Sequence, residues 1–157
     1  MSQRTLDQLF LDLVAETRQE SLRELQELIW DKWMFHENDY LRALMEKGIQ
    51  VMGEGEMNEA IASFSQVIDL DPAYPEGWNK RATAFFLRGN YKNSIEDITQ
   101  ALVLEPRHFG ALSGLASIYL TIGDKKKALR SLQTILSLMP HDDRIQEQVD
   151  AIEDQEE

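Results

Sequence analysis

Apolar residues recur along this chain at the spacing of a helix face, and no segment alternates in the strict way of a half-buried strand. Between residues 75 and 104, Trp78, Ala82 and Phe85 fall on one helix face, and Tyr91, Ile95, Ile98, Ala101 and Leu102 fall on a face of the next. The same pairing predicts helices at 41–53 with 57–70, 75–88 with 91–104, and 109–122 with 125–138. Residues 1–40 carry two further stripes, Leu6/Leu9/Phe10/Leu13 and Leu22/Leu25/Ile29/Trp33, separated by a break near 17–21. Ile145, Val149 and Ile152 mark one more helical face near the end. The pattern predicts an all-α protein.

The pattern also repeats. Gly55, Gly89 and Gly123 are 34 residues apart, and so are Pro72, Pro106 and Pro140. Four more columns keep that step: Ala60/Ser94/Ala128, Phe64/Ile98/Leu132, Val67/Ala101/Ile135 and Leu70/Leu104/Leu138. Each column has a physical reading. A glycine between two apolar-periodic stretches takes the left-handed backbone that ends one helix and turns into the next. A proline just after the second stretch cannot continue the helix, so it separates one hairpin from the following one. The small residues let paired helices approach, and the larger column beside them fills the space.

These residues resemble the tetratricopeptide repeat family. The middle copy carries the likeness best, with Trp78, Arg81, Ala82, Phe85, Gly89, Tyr91, Ser94, Ile98, Ala101 and Pro106. Arg81 and Lys47 stand where the family has leucine, and Ser94 where it has alanine. The resemblance implies a right-handed α-α superhelical solenoid of helix-turn-helix repeats, in a small bacterial-type protein of three repeats. The expected organisation is a degenerate N-terminal capping hairpin over 1–40, repeats at 41–74, 75–108 and 109–142, and a solvating helix with an acidic tail over 143–157. Trp30 and Trp33 lie 34 residues before Phe64 and Val67, so the N-terminal hairpin sits in register and is expected to cover the first repeat. An alternative reading makes Trp30, Trp33, Met34 and Phe35 a docking face, through which the chain forms a homodimer or joins an assembly as a structural subunit.

In the family the first helix of each hairpin lines the concave side. The residues matched to that side include Met45, Ile49 and Met52, then Asn79, Lys80, Thr83 and Phe86, then Ser113, Ser117 and Leu120. Met52, Phe86 and Leu120 keep the 34-residue step and are expected to form an apolar stripe among small neighbours. The family's carboxylate clamp, which grips the acidic tail of a chaperone peptide with Lys, Asn and Arg, maps onto Met45, Ile49, Lys80, Gly110 and Gly114. One cation among five positions disfavours a chaperone C-terminal tail as partner. It favours an apolar or amphipathic segment laid in the groove.

Charge and chemistry narrow the picture further. The chain has a net charge of −12. Residues 1–40 carry −5 of it, residues 41–142 only −1, and residues 143–157 the remaining −6. An acidic balance argues against nucleic acid, which is held by clustered Lys and Arg; Lys125–Lys127 is too short a run to change that. There is no cysteine. His36, His108 and His141 are not spaced as metal ligands, and no phosphate loop or nucleophile elbow occurs. No catalytic residue, metal or cofactor is therefore expected, and the protein reads as a non-enzymatic protein- or peptide-binding adapter. No apolar run is long enough to span a membrane. No signal peptide is recognisable, so the cytoplasm is the default compartment and a trimmed exported chain the alternative.

Overall fold

The 34-residue step reappears as helical hairpins in a computed structural model, which describes residues 3–155. Among these there are nine helices: α1 Leu6–Ala15, α2 Gln19–Met34, α3 Asp39–Gly53, α4 Met57–Leu70, α5 Pro75–Arg88, α6 Tyr91–Leu104, α7 Phe109–Ile122, α8 Lys125–Leu138 and α9 Asp143–Asp154. The fold class is all-α, built from repeated helix-turn-helix units. The count of three repeats is too low. The chain forms four hairpins followed by a ninth helix, an array of four to five repeats. The glycine and proline columns mark only the hairpins whose turns use those residues, so the α1–α2 hairpin escapes the count. The chain divides into two compact units, His36–Ile118 and Met1–Phe35 with Tyr119–Glu157.

In His36–Ile118 the repeat columns do what their residue types dictate. Gly89 has φ 89° and ends α5, with its N–H on the Phe86 carbonyl and that of Asn90 on the Phe85 carbonyl (2.8 Å). Pro75 opens α5 at a position where its missing N–H costs nothing. Gly48 lets α3 lie against α4, because a Cβ there would collide with the fully buried Phe64 ring. Ser94 Oγ donates to the Ala82 carbonyl (2.7 Å), so a small polar side chain closes the α5–α6 contact at the column where alanine is usual. Arg81, at the column where leucine is usual, binds Asp97 with two nitrogens (2.8 and 2.9 Å) and reaches Ser65 Oγ (3.1 Å). Its guanidinium lies 5.3 Å from the Trp78 ring centroid and 5.7 Å from that of Phe85. One charged side chain thus ties α5 to both α4 and α6. Ala82, Ile98, Ala101, Ala111 and Ile118 form a core cluster with Trp78, Phe86, Tyr91, Ile95, Leu102 and Leu115 packed around it.

The other unit is built differently. Thr5 caps α1 in a capping box with Gln8. The α1–α2 turn has no glycine. Glu16 Oε1 accepts the backbone N–H of Thr17 (3.2 Å) and of Arg18 (2.9 Å), and these bonds hold the turn in extended geometry. The bond from Arg18 N–H is the main reason the Glu16 carboxyl is held below its ordinary range. Phe10 and Trp33 pack with ring centroids 5.8 Å apart and close the hairpin core. Its partners in this unit are α8 and α9, at the C-terminal end of the chain. Contacts to that end are what the expectation of a cap on the first repeat did not foresee.

Candidate functional site

The first helices of the hairpins, α3, α5 and α7, present three parallel columns at the 34-residue step. The first is Met45, Asn79 and Ser113. Met45 is 3% exposed and Asn79 7%, so neither offers a surface to a ligand, while Ser113 is half-buried. The second is Ile49, Thr83 and Ser117, and all three are exposed. The third is Met52 and Phe86, both half-buried, followed by Leu120, which is 42% exposed and lies in the last turn of α7, outside the His36–Ile118 unit. The accessible part of the face in His36–Ile118 is therefore Ile49, Met52, Thr83, Phe86 and Ser117. Phe86 has a double role, because its ring also packs on Tyr91 (5.7 Å between centroids) and on the core cluster. Thr83 Oγ1 donates to the Asn79 carbonyl (3.1 Å). Lys80 is half-buried on the same helix. Gly114 has room for a Cβ, with only Ile98 Cδ1 at 3.6 Å, so close helix packing does not account for a glycine there.

Two histidines anchor the starts of first helices in this unit, a role the sequence placed near junctions without assigning partners. His108 Nδ1 accepts the Ala111 N–H (2.9 Å) at the first turn of α7. Its proton therefore sits on Nε2 and is donated to Glu76 Oε1 on α5. Both side chains are fully buried, and Glu76 Oε2 has no hydrogen-bond partner. His36 repeats the arrangement at α3. Its Nδ1 accepts the Asn38 N–H (3.0 Å), and its Nε2 donates to Asp71 Oδ2 (2.7 Å). Between them, Tyr74 is buried beside Glu76 and Asp71. Burial first, then those negative charges, push its phenol well above the usual tyrosine range. The signal for both latches was legible only in part: a histidine just ahead of a predicted helix start is visible, but the carboxylate that meets it is 32 or 35 residues away.

The residues offered as a docking face are placed in the other unit. Trp33 is buried, with Trp30 edge-on to it at 6.2 Å, and Met34 is half-buried; only Phe35, 70% exposed, stands out from the surface. Phe35, Leu28 and Leu9 line a groove of about 660 Å³ with Gln3, Arg4, Asp31 and Lys32 around it. Among the described residues, no group of three or more His, Asp or Glu could hold a metal ion, and no helix is long and apolar enough to cross a membrane.

Comparison with known proteins finds relatives of this chain. A tetratricopeptide repeat family model matches residues 45–103 and 80–143. A TPR repeat-containing protein of Rhizobium etli is 35% identical over 147 residues, covering 94% of this chain and 72% of its own length. The TPR repeat-containing thioredoxin TTL4 of Arabidopsis thaliana is 30% identical over 79 residues, half of this chain, which spans only 12% of that relative. Among solved structures, the first TPR of Spaghetti (RPAP3) bound to HSP90 peptide SRMEEVD superposes with a TM-score of 0.68 at 23% identity, covering 73% of this chain and 94% of that one. The type III secretion translocator chaperone SycD of Yersinia enterocolitica superposes at 0.72 and 17% identity, covering 76% and 96%.

Two expectations are corrected by these matches. Relatives come from a plant and from humans as well as from a bacterium, so a specifically bacterial type is not supported. The expectation that a chaperone tail is an unlikely partner is also overturned. Domains of this fold are solved with HSP90 and HSP70 peptides ending in EEVD. Side-chain identity at five mapped positions is too narrow a ground on which to disfavour that partner class.

Proposed function

The chain belongs to the tetratricopeptide repeat family, and from that membership we propose that it is a non-enzymatic adapter binding a peptide segment of another protein. The observation that carries this reading is the exposed column Ile49, Thr83 and Ser117, one residue from each of three successive first helices, beside half-buried Met52 and Phe86. A surface of apolar and hydroxyl side chains at regular intervals suits a peptide whose own side chains repeat. Its chemistry favours an apolar or amphipathic segment; Met52 adapts to varied shapes. The proposed site residues are therefore Ile49, Met52, Thr83, Phe86 and Ser117, with Lys80 and Ser113 at the margin.

The test uses Ile49→Glu and Thr83→Glu, because both positions are exposed while Phe86 also supports the core. Fluorescence anisotropy is measured with two labelled probes, an amphipathic helical peptide and an acidic heptapeptide ending in EEVD. Binding of either probe that is lost in both variants, with helicity unchanged, supports the site. Preference for the acidic probe would reassign the ligand chemistry within it. Binding unaffected by either substitution would remove this face from the account.

A further inference from the structure

The second helices of three successive hairpins differ in charge. α4 has Glu59 and Asp69 and no basic residue, and α6 sets Lys92 against Glu96 and Asp97. α8 has Lys125, Lys126, Lys127 and Arg130 and no carboxylate, in a chain of net charge −12. One of these cations is held: Lys127 Nζ lies 3.9 Å from Asp124 Oδ2 and 5.5 Å from the Tyr119 ring centroid. Lys125 is half-buried, Lys126 and Arg130 are exposed, and among the described residues none of the three makes an ion pair. Lys126 and Arg130 are four residues apart and share a face of α8. Ile122 ends α7 with 51% of its surface exposed, at the 34-residue step where the earlier hairpins have Glu54 and Arg88. Ile122, Lys125 and Lys126 border a shallow depression of about 560 Å³, with Gly123 and Asp124.

Neither local stability nor solubility calls for this arrangement. Cations in the first turn of a helix oppose its dipole, and added basic residues bring a strongly negative chain nearer to zero charge. What the arrangement offers is an apolar contact rimmed by cations, the make-up of a small interface. We propose that the α7–α8 turn and the first turns of α8 form a second docking surface, which takes an acidic segment of another protein with an apolar side chain among its carboxylates. Carboxylates of that segment meet Lys126 and Arg130, and its apolar side chain covers Ile122. A short segment suits this surface better than a membrane or a nucleic acid. It engages the cations alone, whose field reaches about 10 Å at about 0.1 M salt. An extended anionic surface also meets the field of α9, which packs on α8 and exposes Asp143, Glu147 and Asp150. The surface lies in the unit that contains Tyr119–Glu157, so it does not depend on the Ile49, Thr83 and Ser117 column of the other unit.

Nuclear magnetic resonance titration of the isotope-labelled full chain tests this with two synthetic peptides, one glutamate-rich around a central leucine and one with lysine in place of each glutamate. The acidic peptide is expected to shift the resonances of residues 122–130 saturably, and the lysine peptide to leave them in place. Raising salt from about 0.05 M to about 0.5 M should weaken the acidic peptide about tenfold. Lys126→Glu with Arg130→Glu should weaken it by about tenfold or more, and Ile122→Ser by about fivefold. All three positions are exposed, so circular dichroism should show unchanged helicity. Thr83→Glu, which targets the other face, should leave this binding intact, so failure of one surface is distinguishable from failure of the other. Equal binding of the two peptides, or acidic binding that survives the double charge reversal, would overturn the proposal. So would the absence of any saturable shift at 122–130 at about 1 mM peptide, including the case in which vesicles of anionic phospholipid bind there instead.

Discussion

The α5–α6 and α1–α2 hairpins reach the same architecture with different chemistry. In α5–α6 the turn is a glycine at φ 89°, the helix start is a proline, and the two helices are tied by Ser94 and by the Arg81–Asp97 pair. In α1–α2 no residue has positive φ, a carboxylate from Glu16 takes the place of the glycine turn, and an aromatic pair takes the place of the small-residue column. The first hairpin depends on neighbours close in sequence. The second is completed by bonds to residues at the other end of the chain. A repeat motif, then, is one way to build this hairpin, and its absence does not mean the hairpin is missing.

The largest expected effect sharpens the α5–α6 side. Arg81→Leu restores the residue usual in the family but leaves Asp97 buried without its partner, and should cost about 3 kcal/mol in a urea melt. Adding Asp97→Leu should return stability to within about 1 kcal/mol of the starting protein. A single substitution that proved neutral would show that Arg81 is not the tie described. Next in size, Gly89→Ala forces a side chain into the left-handed region and should cost about 1–2 kcal/mol. No substitution in the α1–α2 turn should match it, since none of those residues is in that region.

Helix bounds and turn glycines were legible because their causes are local. The bounds of α4, α6 and α8 coincide with those read from apolar spacing, and the glycines at 55, 89 and 123 all have positive φ. What was not legible arises from contacts distant in sequence. Nothing around Gln19 or Gln26 announces a partner near residue 142, and a polar residue on a solvated helix face looks the same whether or not it is held. Asn79 and Met45 illustrate the same gap within the site. The repeat register assigns them to the ligand face, and burial then removes them from its accessible part.

Two pH effects extend the comparison. Tyr74 belongs to the motif-bearing unit, and its folded phenol holds its proton to higher pH than the ordinary 10.0. The unfolded chain ionises first, so stability is intact below pH 10 and falls as pH rises above it. Tyr74→Phe should abolish that alkaline loss in thermal melts between pH 9 and about 11.5. Glu16 belongs to the other hairpin and titrates lower when folded than its ordinary 4.5. Its stabilisation is present above that value and fades as pH falls through the folded one. Glu16→Gln should flatten a shallow acid-side decline, the smallest effect predicted here, because the Arg18 side chain it pairs with is exposed to solvent.

The central claim is that the exposed face of α3, α5 and α7 takes a peptide, and side-by-side affinity capture tests it most directly. The unmodified chain and Thr83→Glu, matched in helicity, are immobilised and the retained proteins quantified by mass spectrometry, with each candidate segment then resynthesised and titrated against both. The account predicts a segment that binds the unmodified chain saturably and is lost from Thr83→Glu. Segments that bind both chains equally would contradict it.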